Sequence, residues 1–79
     1  MMTQLQKTLH DIAAAIVDSP DEVKVTCEED DDSINMTLSV APDDMGMVIG
    51  RHGKIAKAIR TVIKAAAAQS GKKVNVDIR

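Results

Sequence analysis

Two glycines near the middle of the chain, Gly50 and Gly53, bracket the polar pair Arg51 and His52. An apolar segment precedes them, and a segment with helical periodicity that carries lysine and arginine follows them. Because glycine has no Cβ, it allows the backbone to turn sharply and to approach a ligand closely. The pattern therefore predicts two helices joined by a tight loop. The start of the second helix would present unpaired N–H groups and a positive dipole end, which suit a phosphate group.

The first part of the chain predicts one helix and a β-hairpin. Apolar residues recur at helical spacing over residues 5–16, which indicates an amphipathic helix that ends near Ser19-Pro20. Apolar and polar residues then alternate over residues 23–28 and again over residues 34–40, as is typical of strands with one buried face. The two strands most simply form a hairpin, and its turn would be the acidic segment 28–33.

A short helix is predicted between the second strand and the glycine pair. Pro42 ends the second strand. Asp43 or Asp44 can then cap a helix that continues to Ile49, since a carboxylate accepts hydrogen bonds from the free N–H groups of a first helical turn.

A long helix and a third strand complete the prediction. The helix extends from about Lys54 to Ser70, and Gly71 is well placed as its C-cap. Alternation over residues 74–79 predicts the third strand. The side of the long helix that we expect to be buried consists of Ile55, Ile59, Val62, Ile63 and Ala66.

The order α-β-β-α-α-β predicts an α+β domain: a three-stranded mixed sheet with three helices packed on one face. The second strand, the two helices after it and the third strand form a crossover unit, so these two strands can lie parallel. The other face of the sheet would remain open to solvent. The residues expected on that open face are Thr26, Asn35, Thr37, Asn75 and Asp77.

Composition excludes several functional classes. The chain has 79 residues, enough for one domain, and contains no Phe, Tyr or Trp. Stacking of bases on aromatic rings is therefore excluded. Cys27 is the only cysteine, so neither an intramolecular disulfide nor a cysteine-rich zinc site is possible. We expect no cofactor, no metal and no enzymatic activity, because no nucleophile and base form a recognisable catalytic pattern.

No segment predicts insertion into a membrane or secretion. The apolar stretch at residues 12–17 is far shorter than the about 20 residues that a membrane span needs. The N-terminal region also lacks the charged start and the cleavage site of a signal peptide. We expect a cytoplasmic protein without a membrane partner.

The charges are distributed unevenly along the chain. Residues 1–45 hold 2 bases and 11 acids, which gives 2 − 11 = −9, and residues 46–79 hold 8 bases and 1 acid, which gives 8 − 1 = +7. The total of −2 is therefore a poor guide to binding. The half that carries the glycine loop is basic, and the local field steers an anionic ligand more than the total charge does.

The element order, with the glycine break between the second and third helices, resembles the type II, prokaryotic KH fold over nearly the whole chain. Residues 44–62, which contain the run V-I-G-R-H-G-K-I-A-K-A-I-R, are similar to the small single-domain bacterial KH proteins of the KhpA/YlqC family. A bare G-x-x-G is a weak signal, but this longer pattern in this position of this topology is a strong one. The resemblance implies that residues 1–79 form a single KH domain.

The resemblance also implies a function. KH domains clamp single-stranded nucleic acid with a G-x-x-G loop. Proteins of this family are expected to bind single-stranded RNA in the cytoplasm with low sequence specificity, and to act as RNA chaperones or post-transcriptional regulators. They form homodimers and pair with a larger KH protein of the KhpB/Jag type. In some bacteria that pairing affects cell shape and cell wall organisation.

Carried onto this chain, the resemblance places the RNA backbone over residues 50–53 and the bases in a groove between the second helix, the loop and the second strand. Val48, Ile49 and Ile55 are expected to belong mainly to the core, but one edge of this cluster could form an apolar floor for the bases. Arg51 and Lys54 would supply charge. The predicted RNA-binding residues are Gly50, Arg51, His52, Gly53, Lys54, Val48, Ile49 and Lys57.

Several features leave alternatives open. Lys57, Arg60 and Lys64 share one helical stripe, which is either a solvated face or part of the RNA site. The family often has lysine or arginine where this chain has Met47. In the type II fold the acidic run 28–32 can lie near the groove, where it would repel phosphate. These departures, with a possible dimer seam at residues 62–66, favour a rival hypothesis: a protein-interaction module in which RNA contact is secondary.

Overall fold

A three-stranded sheet with helices packed on one of its faces forms the fold. The structure is a computed structural model that describes residues 3–79. Its elements follow the predicted order. The helices and strands are α1 (Gln4–Ile16), β1 (Lys24–Glu29), β2 (Ser33–Ser39), α2 (Met45–Ile49), α3 (Lys54–Ala66) and β3 (Lys73–Ile78).

The central strand of the sheet is β2. It pairs antiparallel with β1 and parallel with β3, which confirms the predicted mixed sheet and the crossover through α2 and α3. Cys27 lies opposite Met36, and Met36 lies beside Val76. Because β2 is hydrogen-bonded on both sides, only β1 and β3 have a free backbone edge.

The hydrophobic core lies between the helices and the sheet. Leu9 of α1, Leu38 of β2 and Ile63 of α3 are completely buried. Burying one such side chain stabilises the fold by about 1.5–3 kcal/mol, so these contacts between layers dominate its stability. The start of α1 is fixed separately by a capping box, in which the side chains of Thr3 and Gln6 each accept a hydrogen bond from the other's backbone N–H.

The opposite face of the sheet is polar, as the alternation predicts. Asn35, Asn75 and Asp77 are exposed. The Asn75 amide donates a hydrogen bond of 2.9 Å to Asn35 Oδ1 on the neighbouring strand. No apolar residue interrupts this face, so it needs no further layer to cover it.

A helix-borne side chain binds each free edge of the sheet. In an antiparallel ladder, the backbone groups of successive residues point alternately toward and away from the neighbouring strand. The Asp30 N–H points toward β2 and donates to Ser33 O at 2.9 Å. By this alternation, the backbone groups of Val25 point away from β2. Gln6 Nε2 of α1 donates to Val25 O at 3.3 Å. On the other side of the sheet, Arg60 Nε of α3 donates to Val76 O at 3.0 Å.

The buried side of α3 differs from the prediction. Ile59 and Ile63 are buried, but Ile55, Val62 and Ala66 are exposed. Ala56 and Ala67 are buried instead. The apolar residues of this helix cover a wide arc, and only part of that arc is buried. The buried residues recur at helical spacing and are Ala56, Ile59, Ile63 and Ala67.

The helix ends also differ in detail from the prediction. The α-helix α3 ends at Ala66, with Ala67 as its C-cap, and the chain then tightens into a 3₁₀ turn at Ala68–Ser70. Gly71, with a φ of 71°, is the C-cap of this turn and not, as predicted, of the long helix. Asp44 precedes α2, but its side chain makes no capping bond. Its buried carboxylate instead accepts the Ser19 N–H at 3.0 Å, which links the start of α2 to the segment after α1.

Candidate nucleic-acid interface

The loop between α2 and α3 has a backbone that only glycine adopts readily at two positions. Gly50 has φ 75° and ψ 173°, and Gly53 has φ 74° and ψ 16°. Between them, His52 also has a positive φ, of 58°. Left-handed backbone is uncommon for residues other than glycine. The loop is therefore a tight reversal that brings the C-terminus of α2 close to the N-terminus of α3.

Local hydrogen bonds hold this loop at both ends. The Gly50 N–H donates to Gly46 O at 2.9 Å, and the Gly53 N–H donates to Gly50 O at 3.1 Å. The N-terminus of α3 follows at once, and its N-cap residue, Gly53, has no side chain that could bind the free N–H groups of the first turn. The positive end of the helix dipole is thus directed toward the loop.

The basic side chains of the loop and of the start of α3 point into solvent. Arg51, His52, Lys54 and Lys57 are all exposed. None of them takes part in the ion pairs found within residues 3–79. The charges of Arg51, Lys54 and Lys57 are therefore available to an anionic ligand.

The two predicted floor residues that lie on α2 have different environments. Val48 is completely buried, so its side chain belongs to the core and offers no surface to a base. Ile49 is 36% exposed and does offer one. Successive residues of a helix lie about 100° apart, so two neighbours on a short helix such as α2 cannot share one face. Met47, beside them, is half-buried.

The basic flank of α3 comprises Lys57, Arg60 and Lys64. Lys57 and Lys64 are exposed, whereas Arg60 is half-buried and bound to Val76 O. Arg60 therefore serves neither as a purely solvated residue nor as a free cation. It joins the basic flank to the outer edge of β3.

The strand that can border a binding groove is β3, and not β2. The backbone of β2 is paired on both sides, so no polar backbone group remains on it for a ligand. In the parallel ladder, Arg79 N–H donates to Leu38 O, and Lys73 N–H donates to Asp32 O. Odd-numbered residues of β3 therefore face β2, and the backbone groups of Val74, Val76 and Ile78 face outward beside the basic flank.

The acidic turn lies at the other end of α3 from the glycine loop. Its backbone is joined to the start of β3 by the bond from Lys73 N–H to Asp32 O. The 13 residues of α3 span about 20 Å at 1.5 Å per residue. The carboxylates of residues 28–32 therefore do not face a phosphate held at the loop.

Part of this acidic charge is neutralised within the fold. Lys72 Nζ lies 2.6 Å from Glu29 Oε2 and donates to Asp30 O at 2.7 Å. The hydrogen bond to Glu29 raises the pKa of Lys72. The backbone N–H groups of Asp32 and Ser33 donate to the Asp30 carboxylate and lower its pKa. Lys72 therefore neutralises one carboxylate of the acidic turn within the fold.

An apolar groove of about 280 Å³ lies between α1 and α3. It follows the apolar flank of α3, which comprises Ile55, Ala58 and Val62, on the side of the helix opposite the basic flank. Ile55 is 37% exposed and Val62 is 48% exposed. The other lining residues are Ile12, Ile16, Ile59 and Lys54.

Within residues 3–79, none of the helices is long and apolar enough to cross a membrane. In the same part of the chain, no group of three or more His, Cys, Asp or Glu side chains is arranged to hold a metal ion.

Comparison with known proteins identifies the family. The model of the KhpA/KhpB KH domain matches residues 6–78. This chain belongs to the KhpA/KhpB family of KH domains. The match includes the glycine loop, both flanks of α3 and all three strands.

Named relatives of this KhpA/KhpB domain cover almost its whole length. It is 54% identical over 74 residues to the RNA-binding protein KhpA of Clostridium acetobutylicum, covering 94% of this chain and 99% of the relative. It is 52% identical over 77 residues to the protein of the same name from Caldanaerobacter subterraneus subsp. tengcongensis, covering 98% and 99%. The Bacillus subtilis KhpA is 46% identical over 74 residues, covering 94% of this chain and 91% of that one.

A solved structure supports the fold of this KhpA/KhpB domain independently. Era, crystallised with MgGDPNP and nucleotides 1506–1542 of 16S ribosomal RNA, superposes with a TM-score of 0.69 at 15% identity. The superposition covers 94% of this chain and 28% of Era. At this identity the likeness establishes the KH fold alone.

Sequence reasoning identified the loop but missed two features of the KhpA/KhpB site. The bond from Arg60 to the edge of β3 joins residues 16 positions apart, and no local pattern indicates it. The apolar groove was missed because its isoleucines and valine were assigned to the core. Their excess on one helix beyond what a single buried stripe needs was the signal that could have indicated a second apolar surface.

Proposed function

We propose that this chain binds single-stranded RNA with low sequence specificity through the loop Gly50-Arg51-His52-Gly53. The observation that carries the proposal is a tight glycine loop at the N-terminus of α3 whose Arg51 and Lys54 form no ion pair within residues 3–79. The names of the relatives agree with it. A KH module of this kind holds about four nucleotides.

The geometry suggests a path for the RNA. The phosphates would pass over the loop, near Arg51 and Lys54. The bases would lie along Ile49 and between the basic flank of α3 and the outer edge of β3, where the backbone groups of Val74 and the N–H of Val76 can form hydrogen bonds. Because the chain has no aromatic rings, charge, backbone contacts and an aliphatic surface would bind the RNA. We therefore expect the RNA affinity to be weak and dependent on salt.

The test is a titration of a labelled single-stranded RNA at low and moderate salt. The double variant Arg51→Asp/His52→Asp is compared with the double variant Lys73→Asp/Gln69→Asp, which changes the formal charge by the same amount at the far end of α3. Both variants must retain the circular dichroism of the wild type. We expect the loop variant alone to lose binding. Equal binding by the wild type and the folded loop variant would refute the loop clamp.

The cellular role expected from the family is an RNA chaperone or post-transcriptional regulator in the cytoplasm. A single weak clamp gains avidity when two copies are joined, or when it is joined to a larger KH partner of the KhpB/Jag type. A strand-annealing assay with complementary RNAs separates these roles. A chaperone accelerates annealing, whereas a simple RNA-binding regulator leaves its rate unchanged.

A second candidate function is protein interaction, in particular self-association, and the apolar groove favours it. Ile55 and Val62 expose apolar surface beside the small side chain of Ala58, which permits close helix approach. Of the predicted dimer seam at residues 62–66, Val62 lines this groove, whereas Ile63 is buried in the core and Lys64 lies on the basic flank. Light scattering after size exclusion should show a dimer for the wild type and a monomer for Val62→Asp. Thr61→Asp, on the solvent side of the same helix, is the matched control and should remain dimeric.

A further inference from the structure

Ile55 lies where the glycine loop meets the apolar groove. It is the second residue of α3, and its side chain lines the groove. The same side chain packs against the loop backbone. A Cβ placed on Gly50 would lie 2.6 Å from Ile55 Cγ1 and 3.0 Å from both Ile55 Cβ and Cδ1. Ile55 therefore fills the space that a side chain at the first loop position would need.

The two ends of the loop are supported differently. A Cβ placed on Gly53 would meet no atom within 4 Å, so that end of the loop is open. At the Gly50 end, the φ and ψ of 75° and 173° lie in a region that is populated almost only by glycine. Glycine is also the residue with the most conformational freedom. Without a packing contact, the backbone at Gly50 would sample several conformations.

We infer that Ile55 is a positioning residue for the loop: its side chain holds Gly50 in the conformation that presents residues 50–53 to phosphate. This explains why a large apolar residue stays 37% exposed at the first turn of a helix whose buried side is completed by Ala56 and Ile59. The part of the inference that concerns phosphate rests on the proposed RNA binding. The part that concerns loop order does not.

Hydrogen exchange of the loop amides, measured by NMR without RNA, tests loop order directly. In Ile55→Ala, the Gly50 and Gly53 amides should exchange about tenfold faster. Ile55→Val keeps the γ-carbons and loses only Cδ1, so its effect should be intermediate. Val62→Ala removes apolar surface from the same groove, a full two turns from the loop, and should leave these amides unchanged. Unchanged exchange in Ile55→Ala would overturn the inference.

A double-mutant cycle tests the contact itself. Gly50→Ala should lower Tm, and the loss should be smaller in the Ile55→Ala background, because the truncated side chain no longer overlaps the new Cβ. The same comparison with Val62→Ala should give additive losses. Additive losses in both backgrounds would show that Ile55 does not determine what Gly50 can accommodate, and would overturn the inference.

RNA titration completes the test. Ile55→Ala should bind RNA severalfold more weakly than Val62→Ala at equal salt. Faster exchange without weaker binding would overturn the role in presenting the loop. If the wild type itself binds no RNA, the proposed function fails, while the exchange rates and the cycle still decide whether Ile55 orders the loop.

Discussion

The basic side chains at the two ends of α3 have opposite environments. At the C-terminal end, Lys72 is bound to Glu29 and to the backbone of Asp30, so that its charge is used within the fold. At the N-terminal end, Arg51 and Lys54 are exposed and form no ion pair within the described residues. A net charge of −2 conceals this difference. Binding capacity depends on which charges the fold leaves unpaired.

Of the changes at the two ends of α3, replacing Gly50 by alanine should reduce stability and RNA binding the most. The new Cβ would overlap Ile55 and the backbone would be strained, which together cost about 3 kcal/mol of stability. The expected fall in Tm is about 4–8 °C per kcal/mol. RNA binding should be lost in whatever fraction remains folded. A variant with native Tm and native RNA affinity would contradict the described loop conformation.

A matched pair of glycines separates strain from function. Gly53 and Gly71 have φ of 74° and 71°, and a Cβ would meet no atom within 4 Å at either position. Alanine at either should cost about 1 kcal/mol, because both are left-handed. Thermal denaturation should therefore give similar Tm values for the two variants, whereas RNA titration should show a loss of affinity for Gly53→Ala only. Equal RNA affinities would show that the loop conformation at Gly53 has no role in binding.

Removal of one positive charge at each end of α3 should affect the salt dependence of RNA binding at only one of them. Lys54→Gln should reduce the slope of log affinity against log salt by about 0.7 if one phosphate contact is lost. Lys72→Gln should leave that slope unchanged and instead increase amide exchange in the hairpin turn. A changed slope for Lys72→Gln would mean that bound RNA reaches the far end of α3.

The smallest expected effect is the pH dependence of the acidic turn. The pKa of Asp30 is lowered by the N–H groups of Asp32 and Ser33. The contribution of Asp30 to folding stability is therefore fully present above the ordinary pKa of 3.8, and it is lost as pH falls through the lower pKa of the folded state. The pKa of Lys72 is raised, so its contribution is lost only as pH rises beyond the ordinary 10.5. NMR shifts of the turn should therefore change on acidification, while those of the loop backbone near Gly50 should not follow that transition.

The architecture could be predicted from sequence because each element has a local cause. Strict alternation in β2 and β3 indicates strands, and the two closely spaced glycines, Gly50 and Gly53, indicate the break between helices. The parallel pairing followed from connectivity. These signals act over a few residues, which is why the element order, the mixed sheet and the open polar face could be anticipated.

The surface of α3 could not be predicted in the same way. Its apolar residues cover more of the helix than the core can accept, so periodicity alone could not decide whether Ile55 or Ala56 is buried. The choice depends on how closely α3 approaches the sheet, which is a tertiary property. The Asp44 carboxylate is similar, because its partner at Ser19 is 25 residues away in sequence.

The bonds from Gln6 to Val25 and from Arg60 to Val76 have a consequence for assembly. A mixed sheet with two bare edges can recruit further copies strand by strand and grow without limit into an insoluble polymer. Here a side chain from a helix occupies a carbonyl on each outer strand. A further strand that paired with either edge would have to displace one of these hydrogen bonds, so each outer strand is a poorer template for strand addition than a bare edge would be.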